Sequence, residues 1–587
     1  MKHPLRSVIG VTLLLLLSAC GNDGGDGEPA ELPELSGVFQ AGNVRGVHYR
    51  TQTRDGLTDA SGTFKYLAGE TVTFSVGAIR LGSAPAATTI TPFTLAGLAP
   101  PTTELALRRE LDRATRTTSA FVRAVNIQRF LLALDADHDP ANGIDVRSRT
   151  SALANASLDF TLRIPMFTEK LDKLSPGLTH NMPSWFPIVH LYRAIGIVVP
   201  THAQVTTDTN EPSFSPFHAV MTYYPDGSRK SQESHDAFET SVYIQTNTYD
   251  PFGRRTTTRF VNQLPYSGGH TENERWIFDS SGTLTGSARD RDEGNDGSIE
   301  YSSSVTHEYD EFNNLLRQLT RNDMGDDGTI DSLSDFQATY DSHMNNIRTV
   351  SENDLDGNGA ADSRWIQTAE YDAGDRLVSR LSEFDENADG TVDSRETTAI
   401  TYTSQDLGAV ETYRRDNDAD GVVDYALTYR WTYDAGRLRT LEILVEPDFD
   451  EAGHSTTRLL QTRTYDDDAR VLTEVQEQDW DGVAGFETTS RTAYTYADFG
   501  SPLRLETEVD GGNDGQIDYR YTFEYQYGPN GELLGLEDNQ SAAPQWTSRV
   551  TTSTQITNTL MPDGVLALAQ QYFEFAYSLY VDGAVAF

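Results

Sequence analysis

"YDAGDRLVSRLSEFDENADGTVDSRETTAITY", Tyr371 to Tyr402, holds one full period of the longest pattern in the chain. It opens on Tyr-Asp and a short turn. "LVSRLSEF" follows from Leu377, an alternating run of the kind that lays every second side chain on one face of a strand. An acidic stretch then breaks the run, and a polar run returns to the next aromatic. Two alternating runs joined by Asp and Gly read as a β-hairpin, because those residues supply the backbone angles of a tight turn.

The pattern recurs. Tyr-Asp stands at 249, 309, 340, 371, 433 and 465. Starting from Phe278, an aromatic returns at Tyr309, Tyr340, Tyr371, Tyr402, Tyr433, Tyr465, Tyr496 and Tyr527, always after 31 residues except for one step of 32. Such a period marks a repeat architecture. An apolar residue lies about six positions past each aromatic: Leu284, Leu315, Ile347, Leu377, Leu438, Leu472, Leu503 and Leu533. Each unit therefore predicts two strands and two turns, with tight turns along one edge of a meander and acidic loops along the other. About sixteen strands exceed what an open twisted sheet holds without curling. The expectation is a coiled or partly closed antiparallel array with Tyr and Leu inside. "TYDPFGR" (248–254), "TYDAGRL" (432–438) and "TYDDDAR" (464–470) resemble the YD repeats of Rhs and teneurin-like proteins, whose hairpins coil into a large shell. This chain has a longer period and far fewer repeats.

The acidic loops share a phase. Counted from the first acid, oxygen-bearing residues fall on positions one, three, five and nine, with Gly at six. The candidate metal ligands are Asp292, Asn295, Asp296 and Glu300; Asp323, Asp327 and Asp331; and Asp354, Asp356, Asn358 and Asp362. Three further copies give Asp385, Asn387, Asp389 and Asp393; Asp416, Asp418, Asp420 and Asp424; and Asp510, Asp514 and Asp518. Gly294, Gly325 and Gly512 replace the position-three ligand in three copies. Calcium takes six to eight oxygens, alternate side chains of a coiled loop converge on one centre, and Gly at six permits the sharp turn. The pattern resembles the first nine residues of an EF-hand loop, and more closely the calcium loops of thrombospondin type-three repeats and dockerins. Position twelve, where an EF-hand places Glu, is Ser303, Ser334, Trp365, Leu427 or Tyr521, with Glu396 alone fitting. With fewer ligands the expected affinity is weak, about 10⁻⁴–10⁻³ M. Two units, "EPDFDEAGHS" (446–455) and "QDWDGVAGFE" (478–487), are degenerate.

Residues 37–97 alternate apolar and polar residues around glycines and predict a small antiparallel β-sandwich. "G-x-T-D-x-x-G-x-F-x-Y", Gly56 to Tyr66, resembles transthyretin-like or carboxypeptidase-regulatory-like surface modules. Residues 98–204 read as mainly helical. Thr103 suits a cap, and Ala120, Phe121, Ala124, Val125 and Leu132 suit one buried face. "DADHDPANGID" (135–145) sets Asp135, Asp137 and Asp139 at alternate positions but puts Pro140 at six. It reads as either a second kind of metal loop or a solvated loop closing the helix. The repeats occupy 205–540. Residues 541–587 read as a C-terminal cap.

"MKHPLR" and the apolar "SVIGVTLLLLLSA" before Cys20 predict a secretory signal over residues 1–20. "LSAC" resembles the lipobox of bacterial lipoproteins, which implies a lipidated Cys20. Gly21 in place of Asp implies the outer membrane. Residues 21–36 read as a flexible tether. Cys20 is the sole cysteine, so no disulfide is expected. A formal charge of −42, from 88 acidic and 46 basic residues, argues against nucleic-acid binding. No catalytic motif stands out. The sequence thus predicts a mainly β, lipid-anchored surface protein held by calcium, structural or adhesive, with a glycan or surface protein as ligand. The alternatives are a carbohydrate-active enzyme and an Rhs-like shell holding a cargo.

Overall fold

The computed structural model describes residues 33–559, apart from 115–117, 138, 173, 175–181, 183–185, 198–203, 211–216, 224–228, 236–241, 252, 265–267, 280–281, 405–406, 435, 448–456, 481–484, 530–532 and 543–549. Cys20, Asp448, Asp450, Asp481 and the segment 560–587 lie outside the described residues.

The N-terminal strands form two small sheets. Leu35–Phe39 pairs antiparallel with Thr63–Tyr66 and parallel with Thr89–Ile90, a parallel contact where the sequence predicted antiparallel strands alone. A second sheet orders Asp55–Leu57, His48–Arg50, Thr71–Val76 and Ile79–Pro85. Alternation fixes which side is buried: Val72, Phe74 and Val76 are buried while their neighbours are not. Phe74 stacks on Phe39 at 4.6 Å between centroids and takes Phe64 edge-on at 5.2 Å.

The described residues of the helical stretch form separate helices. Glu104–Ala114 is one, and Ser119 caps another, Ala120–Ala133, by accepting the Val122 N–H at 3.1 Å. Sequence alone predicted one buried face for this helix. The structure buries nearly every residue of it, including Asn126, Gln128 and Arg129. Each of these donates to a backbone carbonyl: Asn126 to Phe160 and Leu162, Gln128 to Ala41, Arg129 to Met182. Buried polar groups are tolerated when paired in this way. Sandwich and helices share one hydrophobic cluster running from Phe39 to Tyr192.

The repeat region is a single antiparallel meander. Twenty consecutive strands, Arg229–His235 to Tyr519–Tyr527, each pair with the next and form one sheet that is not itself closed into a barrel. Two strands flank it on either side, and the outermost, Gln204–Asn210 and Val550–Thr559, pair antiparallel with each other. The strand count exceeds the predicted sixteen because strands before Phe278 join the same sheet. Most strands hold nine or ten residues, about 30 Å of extended chain.

The sheet is not held by a dry core. Among its described residues only Leu319, Ala338, Val350, Ala426 and Ala497 are buried and apolar. Of the leucines expected inside, Leu284, Leu315, Leu377 and Leu438 are half-buried, while Leu472 and Leu503 are 38% and 41% exposed. Polar contacts replace packing. Tyrosine hydroxyls reach back one hairpin to a backbone carbonyl: Tyr309 to Leu284, Tyr340 to Leu315, Tyr371 to Asn346 and Tyr402 to Leu377, at 2.7–3.1 Å. Tyr465, Tyr496 and Tyr527 do the same to Leu438, Val471 and Pro502. The Asp after the aromatic builds the turn. Asp372 accepts the Gly374 and Arg376 N–H groups and the Arg376 guanidinium, which in turn lies 4.7 Å over Tyr402. Asp466 and Arg470 repeat this arrangement against Tyr496. Among the described residues no helix is long and apolar enough to cross a membrane.

Candidate metal centre

Alternate connections of the meander are acidic, so all six candidate loops lie along one edge of the sheet. Each begins on the last residues of a strand. The position-one acids Asp292, Asp323, Asp354, Asp385, Asp416 and Asp510 are all buried. Their Oδ2 atoms accept the N–H of the position-six glycines Gly297, Gly328, Gly359, Gly390, Gly421 and Gly515 at 2.7–2.9 Å. Those glycines sit at φ 84–94°, outside the ordinary range of side-chain-bearing residues. Position nine closes the loop. Glu300, Asp331, Asp362, Asp393, Asp424 and Asp518 accept the position-two N–H at 2.5–2.7 Å. Position five accepts the position-seven N–H, as Asp296 does from Ser298 and Asp389 from Thr391. These backbone hydrogen bonds hold the Asp296, Asp327 and Asp389 carboxyls below the usual carboxylate range.

The loops divide on one residue, the third. Where it is Gly, the position-five N–H turns to the other oxygen of position one: Asp296 N–H to Asp292, Asp327 to Asp323 and Asp514 to Asp510, at 3.0–3.1 Å. Both position-one oxygens are then occupied. Where it is Asp, the position-three carboxylate captures that N–H instead: Asn358 N–H to Asp356 at 3.1 Å and Asp420 N–H to Asp418 at 3.2 Å. The Oδ1 atoms of Asp354 and Asp416 are left buried with no hydrogen-bond partner among the described residues. The Asp385 loop has Asn387 at three and shares the Asp389 N–H between Asn387 and Asp385.

Two carboxylate clusters result. Oxygens of Asp354, Asp356 and Asp362 lie within 4.8 Å of one another, and so do oxygens of Asp416, Asp418 and Asp420. Ligands at 2.3–2.6 Å from one ion stand no more than about 5 Å apart, so each set could hold a single metal ion. A desolvated carboxylate oxygen without a donor is costly, and a cation supplies what it lacks. The donor chemistry, all hard oxygens, suits a hard cation and disfavours soft metals.

Other predicted ligands are placed differently. Asn295 is corrected: it stands at position four with φ 56°, donates to Asn262 and Gly268 carbonyls and accepts the Thr271 hydroxyl, so its side chain is spent on the neighbouring connection. Glu396 lies on the following strand, 3.5 Å from Arg415. The sequence reading missed Glu487, which accepts the Trp480 N–H at 2.7 Å and thereby fills the position-nine role of a degenerate unit. Its signal was available, since it precedes Asp518 by one period of the repeat. A separate cavity of about 500 Å³ in the N-terminal body is lined in part by Gln40, Asn43, His190 and Arg193, with no carboxylate in its described lining. Burial pushes His190 down to about 4, so its ring is neutral at physiological pH.

These features define a class: a hairpin-repeat sheet with acidic loops along one edge. No known family and no curated protein sequence matches the chain. Solved structures that align with it include a porin-like protein from Bacteroides uniformis, at 10% identity over 62% of this chain and 99% of that one, TM-score 0.20. The TcdB2-TccC3 structure without its hypervariable C-terminal region aligns at 13% identity over 62% of this chain and 28% of that one, TM-score 0.15. Transferrin binding protein B from Haemophilus parasuis aligns at 8% identity over 62% and 78%, TM-score 0.12. Similarity at these TM-scores carries no function to this chain.

Proposed function

We propose that the chain is a cell-envelope repeat protein, anchored through a lipidated Cys20, whose sheet is held by calcium at its acidic edge. The observation that carries this reading is the pair of buried, unpartnered oxygens at Asp354 and Asp416, each beside a second and third carboxylate. Asp354, Asp356 and Asp362 would hold one ion, and Asp416, Asp418 and Asp420 another. Bound there, an ion neutralises the clustered charge and ties the loop ends together. The Gly-containing loops complete their own hydrogen bonds and serve as plain turns.

The role is structural and adhesive, with no catalytic task assigned. The acidic edge also exposes Met324, Leu355 and Trp480 at position two of their loops. Apolar tips beside calcium-neutralised acids suit contact with a surface protein or the apolar face of a glycan. Equilibrium dialysis of the full chain against millimolar calcium tests the ion. About two ions should be lost on combining Asp356→Ala with Asp418→Ala, at the affinity expected of extracellular modules. Unchanged binding in that variant removes the reading. A second reading, an Rhs-like shell around a cargo, draws on the pairing of the outermost strands. Co-purification of a protected polypeptide with the full chain would support it.

A further inference from the structure

We propose that the cavity of the N-terminal body is a binding site for a small hydroxylated organic carboxylate, a sugar acid being the simplest member of that class. The cavity lies where stretches distant in sequence meet: the first strand and the turn after it (38–43), the 3₁₀ turn Pro140–Asn142, and the helix Phe186–Ala194. Its volume of about 500 Å³ falls in the range of small-molecule sites.

His190 carries the argument. Its Nδ1 is buried with no hydrogen-bond partner among the described residues. Burial, with the charge of Arg193 after it, lowers the ring to about 4, so the imidazole is neutral and holds a single N–H. A buried N–H without an acceptor is costly, which assigns that proton to Nε2. The Nε2 atom is not enclosed as Nδ1 is, and the ring lines the cavity, so Nε2–H is the donor turned toward a ligand. Gly42 makes room for this ring. It sits at φ 100°, a conformation that favours glycine, and a Cβ there would stand 3.1 Å from His190 Cε1 and 3.3 Å from Nδ1. Phe186, one helical turn earlier, packs against the imidazole at 5.8 Å between centroids.

The remaining lining selects the ligand. The chain holds 88 acidic residues, yet none stands in the described lining. Arg193 supplies a full positive charge, and three residues from His190 on one helix it shares that face. Arg193 also has a contact elsewhere, and five N–H groups leave it donors for a ligand. A guanidinium and a neutral imidazole N–H together suit a carboxylate. The Gln40 and Asn43 amides both donate and accept, which suits hydroxyls, and Val38, Pro140 and Ala194 offer a small apolar wall to the carbon skeleton. The helix end opposes an anion through its partial negative charge. Its last carbonyls are answered, however, because the Gly196 and Ile197 N–H groups return to Arg193 and Tyr192. The guanidinium is then the dominant charge, and a cationic ligand would meet it with no acid in the described lining to offset it.

The test is calorimetric titration of the full chain in calcium-free buffer with glucuronate, and with glucose as its uncharged counterpart. Glucuronate should bind, and glucose should bind about tenfold more weakly or less, since the charge-assisted contact is missing. Arg193→Gln should weaken glucuronate by about tenfold or more. Ala141→Phe, at an exposed position of the lining, fills space without removing a donor and should weaken both sugars. No binding of glucuronate at millimolar concentration, equal affinity for the two sugars, or a glucuronate affinity indifferent to either variant overturns the proposal. Calcium is absent throughout, so none of these outcomes bears on the repeat loops.

Discussion

From Phe39 to Tyr192 the chain buries one continuous apolar cluster, whereas from Arg229 to Tyr527 the described residues bury five apolar side chains and a larger number of polar ones. The first region is held by packing around a central helix. The second is held by strand pairing, tyrosine hydroxyls, cross-strand ion pairs such as Arg317 with Asp335, and loop carboxylates. Ion pairs of this kind, partly open to water, are individually weak and are screened by salt. The contrast says that one body should answer to lost volume and the other to charge, pH and ions.

The largest expected effect breaks the body and spares the sheet. Phe74→Ala removes a fully buried ring stacked on Phe39 and should cost about 3–5 kcal/mol. Amide exchange should rise across the N-terminal strands and stay unchanged in Ser363–Tyr371. Equal loss in both would show that the two regions unfold as one. The proposed calcium sites lie on the other side of the comparison. With affinity near 10⁻⁴–10⁻³ M, raising calcium to about 10 mM should stabilise the sheet by roughly 1.4–2.7 kcal/mol per occupied site. A urea titration with calcium and with chelator reads this directly.

Smaller effects test the polar lattice. Tyr371→Phe strips one hydroxyl from its carbonyl, Asn346, and should cost about 0.5–1.5 kcal/mol without altering calcium binding. A change below experimental error would mean that the tyrosine ladder is ornamental. The pH response should be modest and two-sided. Arg376 and loop N–H groups hold Asp372 down at about 2, below its ordinary 3.8. That contribution is present above pH 3.8 and is lost as pH falls through about 2. Burial, reinforced by Glu396, pushes Tyr413 up to about 12 from an ordinary 10. Its contribution is intact below pH 10 and is lost as pH rises through about 12. Asp372→Asn should flatten the acid limb alone, and Tyr413→Phe the alkaline limb alone.

The repeat, its hairpins and the placing of acidic loops on one edge were legible because period and turn chemistry are local properties of sequence. Position nine was marked by the same phase as a ligand, whereas its hydrogen bond to the position-two N–H needed the structure. The division among loops was harder to see. Asp385 and Asp416 look equivalent on paper, yet Asn387 lets one close on itself while Asp418 opens the other. That distinction is a competition for a single N–H, which depends on side-chain charge and reach. Asn295 misled because an amide near a ligand position can equally serve a neighbouring loop at positive φ. The nearly all-round burial of Ala120–Ala133 was hidden because Asn126, Gln128 and Arg129 look like a solvated face until their carbonyl partners are known.

The position-three rule is tested most directly by following amide exchange of Asn346–Asp354 and Gly408–Asp416 with rising temperature, in calcium and in chelator. The full chain should show a higher midpoint in calcium for both strands. Asp356→Gly with Asp418→Gly should abolish that shift, and Asn387→Gly should leave it intact. A midpoint indifferent to millimolar calcium, or a shift that survives the paired change, would contradict the account.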